Sequence, residues 1–199
     1  MVTPKTMVLT RPLAKSLAEM LCAQRGEALY IVHRIDKDTS GVILFARNAE
    51  AHRRLSRQFE KRLVRKVYLA LTHGVIVDDE GVIDKPLCRF GSGRVGINPQ
   101  HGRSSLTEYA VLRRFAAHTL VEAYPKTGRR HQIRVHLYSL GHPIVGDRLY
   151  GDRTIQRDYP RMMLHAYRLT VRLLNDEMLT VEAPPPESFE RVLHMADTL

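Results

Sequence analysis

The segment HRIDKDTSGVILFA, residues 33–46, decides how the middle of this chain folds. Asp-Thr-Ser-Gly is typical of a turn, and the apolar run after it predicts a buried strand over Gly41–Ala46. A short strand over Tyr30–Ile35 is predicted to lead into the turn. Asp36 and Asp38 therefore lie at a strand end among cations. A carboxylate there either forms a cap or an ion pair, or stays ionised for chemistry.

Composition points to a globular protein with an anionic partner. The chain has 199 residues, of which 44% are hydrophobic, enough for one domain with a core. Its 31 Lys and Arg exceed its 21 Asp and Glu, for a net charge of +10. This excess favours nucleic acid, and membranes less so because no basic amphipathic helix with an aromatic face is found. Trp is absent and Phe numbers five, which argues against large stacking platforms for single strands.

No apolar run is long enough to span a bilayer, and the first residues lack the apolar block of a signal peptide. A cytoplasmic protein is therefore expected. The two cysteines, Cys22 and Cys88, show no CxxC spacing and are predicted to be reduced and structural.

The remaining pattern is rich in strands, with a few helices between consecutive hairpins. Helices are predicted over 13–21, 49–61 with Asn48 as N-cap, 129–140 before Gly141, and around Phe189. Strands are predicted over 65–77, 107–113, 119–124, 164–173 and 178–183, with a loop or loose hairpin over 89–105. Because regular βαβ alternation is missing, the fold class expected is α+β, a mixed and mostly antiparallel sheet with flanking helices. In the helix over 129–140, Arg130 and Arg134 are predicted to share a face.

The helix over 49–61 and its C-terminal extension are strongly basic. The segment 53–66 carries seven cations against one acid, Glu60. Such a segment is either a solvated helix face or a surface that meets phosphate, and the sequence leaves both open.

Several kinds of site find no support. His131 and His136 are five residues apart, so they do not form the zinc pair of an HExxH helix. A glycine-rich phosphate loop and a G-x-S-x-G nucleophile elbow are both missing. A carboxylate among cations remains, and it could act as a nucleophile or stabilise a positive sugar. From this stretch alone, a cap or an ion pair is the favoured interpretation, because an aspartate at a strand end usually has that role.

Six blocks together resemble one family. HRIDKDTSG resembles the HRLDxxTSG motif of the RluA-type pseudouridine synthases, and KVYLALTHG resembles their K-x-Y-x-A strand. KTGRRHQIRVHL and LGHPIVGDRLYG resemble the family's TGR-x-HQIR-x-H and GHP-I-x-GD-x-x-YG segments. LHAYRL and EAPPP resemble its closing LHA and AP-x-P pieces. The blocks stand in the family's order and cover residues 30–189.

The resemblance implies an enzyme that breaks the N1 glycosidic bond of a uridine in tRNA or rRNA. The uracil then turns and rejoins through C5, without cofactor or metal. Asp36 matches the nucleophile, which attacks either C1′ or uracil C6, and Arg134 matches the arginine that pairs with it. Tyr68 matches the tyrosine that stacks on the base and helps remove the C5 proton. Arg34 matches the residue that fills the space left by the flipped nucleotide.

Four further residues are expected to contact phosphate: Lys126, Arg129, Arg130 and His131. Asp38 is interpreted as a turn cap. Residues 1–199 are expected to form one catalytic domain, short at its N-terminus because no KP-x-G segment precedes His33. No S4-like domain is found, and a monomer without an obligate protein partner is expected. The alternatives are a catalytically silent RNA-binding module of the same fold and a metal-dependent nuclease.

Overall fold

The computed structural model describes residues 16–197, which form eleven strands and five helices. The helices are α1 Leu17–Arg25, α2 Ala49–Glu60, α3 Gln132–Ser139, α4 Arg153–Gln156 and α5 Glu187–Asp197. The first strands are β1 Tyr30–Ile31, β2 Ser40–Gly41, β3 Phe45–Ala46, β4 Arg65–His73, β5 Glu80–Asp84 and β6 Leu87–Arg89. The others are β7 Val95–Ile97, β8 Leu106–Arg114, β9 His118–Pro125, β10 Leu164–Arg172 and β11 Met178–Glu182.

The main sheet has the strand order β11-β10-β4-β9-β8-β5, with every neighbouring pair antiparallel. Strand β2 lies parallel to β10, which makes the sheet mixed. Two short ribbons, β1–β3 and β6–β7, stand apart from it. The predicted α+β class with a mixed, mostly antiparallel sheet is therefore confirmed. The segment 89–105, predicted as a loop or loose hairpin, contains the second strand of the β6–β7 hairpin, whose first strand begins earlier, at Leu87.

Strand β4 is the centre of the sheet, and its second half is buried on both faces. Leu69, Ala70 and Leu71 are at most 9% exposed, although alternate side chains of a strand point to opposite faces. The main core joins these residues to Leu137 of α3 and Phe189 of α5. The sheet is thus covered on both faces there, and the first half of β4, ahead of this core, is free to line a cleft.

The joint between β2 and β10 fixes the loop that carries the two aspartates. Gly41 lies opposite Ala166, and the next amide, that of Val42, donates to the Ala166 carbonyl at 2.8 Å. Gly41 has a φ of +111°, and a Cβ there would lie 2.1 Å from the Ala166 oxygen. Only glycine allows this approach of the two backbones.

The predicted continuous strand over 41–46 is wrong. The chain leaves β10 after Gly41 and pairs again only at Phe45, because Val42 and Leu44 pack into a second core beneath α2. The strand predicted over 30–35 is limited to β1. Likewise β4 ends at His73 instead of residue 77, and a separate strand, β5, begins at Glu80.

The helix predictions meet mixed outcomes. Asn48 caps α2 as predicted, accepting from the Ala51 amide at 2.8 Å. Helix α1 starts after a capping box of Ser16 and Glu19, and the part of that prediction before residue 16 lies outside the described residues. Helix α3 begins three residues later than predicted, because its N-cap His131 adopts a left-handed conformation with φ of 55°. Arg130 is therefore not on the helix and shares no face with Arg134.

A Gly41→Ala substitution should lower the free energy of unfolding by about 2–4 kcal/mol, because the new methyl group collides with backbone. Urea unfolding followed by circular dichroism measures the change.

The matched control is Gly26→Ala, after α1. Gly26 has a similarly positive φ of +68°, but a Cβ there meets nothing within 4 Å. Only the left-handed conformation costs energy in this variant, about 1 kcal/mol. Equal losses in the two variants would contradict the role given to the β2–β10 approach.

Candidate active site

A cleft of about 640 Å³ opens beside the first half of β4. Its walls come from the loop between β1 and β2, the turn after α2, strand β4 and the segment that joins β9 to α3. All eight residues predicted for the site line it: Arg34, Asp36, Tyr68, Lys126, Arg129, Arg130, His131 and Arg134. The fold thus brings together residues that are up to 100 positions apart in the sequence.

Arg134 lies between two carboxylates at the base of this cleft. Its Nε and Nη2 donate to Asp147 at 2.7 and 2.8 Å, and its Nη1 donates to Asp36 Oδ2 at 3.2 Å. The Asp147 side chain is fully buried, that of Arg134 is 5% exposed, and that of Asp36 is 18% exposed. The pairing predicted between Arg134 and Asp36 is present, and Asp36 is the member of the triad that a substrate can reach.

The partner of Arg134 on the buried side is itself held by backbone. Asp147 Oδ1 accepts from the amides of Leu149 at 2.9 Å and Tyr150 at 3.2 Å, and the Tyr150 ring lies 5.1 Å from the guanidinium carbon of Arg134. Burial alone would lower the pKa of Arg134. The bonds to Asp147, together with the charges of Asp147 and Asp36, outweigh burial and raise it. The guanidinium is therefore a fixed cation with a fixed orientation.

Tyr68 lies on β4 opposite Ala166 of β10, which in turn pairs with Gly41 of β2. This register sets the tyrosine close to the aspartate loop. Burial, and then the charge of Asp36, raise the pKa of Tyr68 to about 12. The phenol is therefore protonated at neutral pH.

The Thr-Gly-Arg segment before α3 is tied down by one amide side chain. Gln132 accepts from the Thr127 hydroxyl at 2.6 Å and from the Arg129 amide at 3.0 Å, and donates to the Leu106 carbonyl at 2.9 Å. The preceding residue, His131, itself has the left-handed backbone conformation, with φ of 55°, and its Nε2 lies 4.0 Å from Asp36 Oδ1. Backbone strain at this position brings an imidazole to the nucleophile candidate.

The other cations predicted to contact the substrate surround the opening. Arg34 and Arg130 are exposed, and Arg129 is half-buried and donates to a loop carbonyl. Lys126 forms an ion pair with Glu108 at 2.6 Å, so a phosphate has to compete with that carboxylate. Asp38 is exposed and accepts no hydrogen bond from residues 16–197, so its interpretation as a turn cap is wrong.

Two residues of the site were missed by sequence reasoning. Lys66 lies two positions before Tyr68 on the same strand, so the period of two places both on one face, a signal that was available. Its ammonium donates to the Thr127 carbonyl at 3.0 Å and has no carboxylate partner within the described range. Burial lowers the pKa of Lys66 to about 8. The other is Asp147, whose place in GHPIVGDRLYG gave no sign that it meets Arg134.

His33 closes the side of the cleft next to α2. Its ring stacks on Phe59 with centroids 4.6 Å apart, and its Nε2 accepts from the Leu44 amide at 2.9 Å. Only an unprotonated ring nitrogen can accept this bond. Burial, and then the charge of Lys66, lower the pKa of His33 to about 4.

Residues 16–197 offer neither a metal site nor a membrane-spanning helix. No three of the His, Cys, Asp and Glu side chains in that range are placed to share a metal ion. None of its helices is both long and apolar enough to cross a membrane.

Comparisons with known proteins agree with this geometry. Residues 4–139 match the family model described as RNA pseudouridylate synthase. An RNA pseudouridine synthase of Zymomonas mobilis is 43% identical over 163 residues, which cover 80% of this chain and 74% of that protein. The dual-specificity RNA pseudouridine synthase RluA of Vibrio cholerae is 40% identical, covering 84% of this chain and 71% of that protein.

Two further similarities bear on length and on fold. The ribosomal large subunit pseudouridine synthase C of Vibrio parahaemolyticus is 41% identical over 88% of this chain, which spans only 58% of that protein. The structure of human RNA pseudouridylate synthase domain containing 1 superposes with a TM-score of 0.78 at 30% identity, covering 92% of this chain and 86% of that one.

The fold and the site therefore define an RNA-modifying isomerase. The chain belongs to the RluA-type family of RNA pseudouridine synthases. The family resemblance seen in the sequence is confirmed.

An Asp147→Asn substitution should destabilise the protein by about 3–5 kcal/mol, because it leaves the buried Arg134 without its bidentate partner. Turnover should fall with it, since the orientation of Arg134 toward Asp36 is lost. Urea unfolding and an activity assay below the melting temperature measure the two effects.

The matched control is Asp152→Asn at the N-cap of α4. Asp152 also accepts from two backbone amides through one oxygen, but it contacts no arginine. Asparagine is as good an N-cap as aspartate, so the control should lose less than about 0.5 kcal/mol. A similar loss at both positions would attribute the effect to the backbone bonds and not to Arg134.

Acid should destabilise the fold through His33. Its pKa of about 4 lies below the ordinary 6.5, so the unfolded chain takes up a proton first as the pH falls. The stability contributed by neutral His33 is complete above pH 6.5 and decreases below it, by on the order of 2 kcal/mol at pH 5. The free energy of unfolding of His33→Gln should therefore vary less with pH between 7 and 5 than that of the wild type.

The comparison uses slopes, so a general loss of stability in the variant does not affect it. His101→Gln, in an exposed loop, is the control and should keep the wild-type slope. Parallel curves for the wild type and His33→Gln would contradict the assignment.

Proposed function

We propose that this cleft converts uridine in structured RNA to pseudouridine, with Asp36 as the nucleophile. One observation carries the proposal. The Asp36 carboxylate is partly exposed at the base of a basic cleft, and Arg134 holds it through a single bond of 3.2 Å. A carboxylate that is fixed and charged, yet open on one side, suits attack on an electrophilic carbon.

The reaction needs one bond broken, one formed and one proton moved. The N1–C1′ bond breaks, the uracil turns, and C5 bonds to C1′. The C5 proton then leaves and N1 gains one, so no atom or electron is added overall. Asp36 would attack either C1′ or uracil C6 in this sequence. The geometry is compatible with either, because both atoms belong to the same flipped nucleotide.

Tyr68 would hold the uracil and assist in proton transfer. With a pKa of about 12, its phenol is a poor base at neutral pH. We therefore assign it ring contact with the base and donation through its O–H. Removal of the C5 proton would then need the neighbouring Asp36 carboxylate as the final acceptor.

The target nucleotide has to leave its stack, because a stacked uridine does not expose its glycosidic bond to a carboxylate. Arg34, which is exposed at the rim of the cleft, would fill the vacated space. The half-buried ammonium of Lys66, with the exposed Arg130 and the half-buried Arg129, would neutralise the phosphates beside the flipped nucleotide.

The substrate class that we propose is tRNA or rRNA. The name of the Vibrio parahaemolyticus relative refers to the large ribosomal subunit, and that of the Vibrio cholerae relative to dual specificity. The net charge of +10 supports an RNA partner without choosing between the two.

Tritium release from RNA labelled at uridine C5 tests the proposal. With bulk RNA from cells that lack this protein, wild type should release tritium in the presence of EDTA. Asp36→Asn should lower the rate by at least about a thousandfold, because it removes the charge and keeps the bulk. Filter binding should find RNA affinity within about threefold of wild type.

Asp38→Asn is the matched control, an exposed aspartate two positions away with no hydrogen bond in the described part of the chain. It should release tritium at the wild-type rate. Comparable turnover by Asp36→Asn would exclude Asp36 as the nucleophile, and release that stops in EDTA would exclude the metal-free reaction.

A further inference from the structure

A second basic depression adjoins the catalytic cleft. This groove, of about 1020 Å³, lies between α2, the start of β4 and the β10–β11 hairpin. Six of its lining residues are cations: Arg53, Arg54, Arg57, Lys61, Arg65 and Arg172. Only two are acids, Glu50 and Glu60. None of the six cations was needed for the catalytic site.

Two of the cations are accounted for by the fold. Arg54 forms an ion pair with Asp176 in the β10–β11 turn, and Arg172 lies 4.0 Å from the same carboxylate. The other four are exposed and have no ion pair or side-chain hydrogen bond among residues 16–197: Arg53, Arg57, Lys61 and Arg65. Intramolecular pairing therefore does not explain why these four are basic.

Helix stability does not explain them fully either. Arg53, Arg57 and Lys61 follow one another at intervals of four, and like charges at that spacing destabilise a helix by about 0.2–0.5 kcal/mol per pair. The dipole at the C-terminal end of α2 favours Arg57 and Lys61. It does not favour Arg53, which lies five residues after the N-cap Asn48, or Arg65, which lies on strand β4.

The groove has a rigid floor. The side-chain amide of Gln58 donates to the Arg172 carbonyl and accepts from the Arg172 amide, both at 2.8 Å. These two bonds satisfy the backbone groups of Arg172 as a neighbouring strand would, and they fix α2 against the sheet. Exposed apolar side chains lie between the cations, with Leu63 62% and Met178 54% exposed. Such surfaces can contact sugars or bases while the cations contact phosphates.

The groove and the cleft share a wall, the turn after α2. Glu60 lines both, Arg62 lines the cleft, and Lys61 lines the groove. Strand β4 divides in the same way, because Lys66 lines the cleft and its neighbour Arg65 lines the groove. A chain that leaves the cleft over this turn enters the groove directly.

We propose that this groove binds the phosphates of the RNA segment that flanks the target nucleotide. The direction in which the RNA lies, with the target uridine in the cleft, rests on the proposed function. The affinity of the groove for RNA does not. RNA carries its phosphate charges at regular intervals, and the groove presents cations at regular intervals along one face of α2. The two charge patterns are therefore complementary.

The test is the double variant Arg53→Gln with Arg57→Gln. The probe is a fluorescein-labelled RNA stem–loop with a single-stranded extension, and anisotropy is followed over a salt series. Losing two phosphate contacts should reduce the slope of log K against log salt by about 1.5–2. The dissociation constant at low salt should rise by at least about tenfold, and KM in tritium release should rise with it. The same stem–loop without its extension should be affected much less.

The matched control is Arg153→Gln with Arg157→Gln at α4. These two arginines are also exposed and four apart, but they line neither the cleft nor the groove. This variant carries the same net charge as the first and should keep the wild-type slope. Equal losses in both variants, or no loss in either, would overturn the proposal. Asp36→Asn separates it from the proposed function, because that variant should lose tritium release and keep the full salt slope.

Discussion

Two carboxylates bind the guanidinium of Arg134 at the base of the cleft, and the rest of the site depends on how its hydrogen bonds are shared between them. Asp147 takes the Nε edge of Arg134 with two short bonds, and Asp36 is left with one bond of 3.2 Å. The buried pair neutralises itself, so the charge of Asp36 is oriented without being fully cancelled. A carboxylate bound as tightly as Asp147 would be a poor nucleophile, and one without Arg134 would lack direction.

This division requires three distant parts of the chain to meet within a few ångströms. The β2–β10 approach at Gly41 fixes the aspartate loop, β4 supplies Tyr68, and α3 supplies Arg134. Gln132 joins the start of α3 to β8 through its amide. Because each part is anchored to the same sheet, the site is preformed, and binding energy from RNA does not have to assemble it.

Sequence reasoning recovered what depends on local pattern. Long alternating strands such as β10 and β11 were found, and all eight residues predicted for the site line one cleft. It failed where tertiary contacts determine the local conformation. The apolar run after Gly41 looks like one strand, but its side chains serve two different cores. The left-handed turn at His131 and the burial of Asp147 against Arg134 leave no periodic signal, since each is set by a partner far along the chain.

The net charge of +10 is not spread evenly, and its distribution separates affinity from chemistry. Inside the cleft, Arg134 is balanced by Asp147 and Asp36, at short range and largely shielded from salt. Among residues 16–197, the exposed cations without an ion pair include Arg34 at the rim of the cleft and Arg53 and Arg57 along α2. Salt therefore screens the outer cations, which by our proposal set how strongly RNA is held, and leaves the inner triad almost unchanged. A protein so arranged can hold a long polyanion loosely while it positions a single nucleotide tightly.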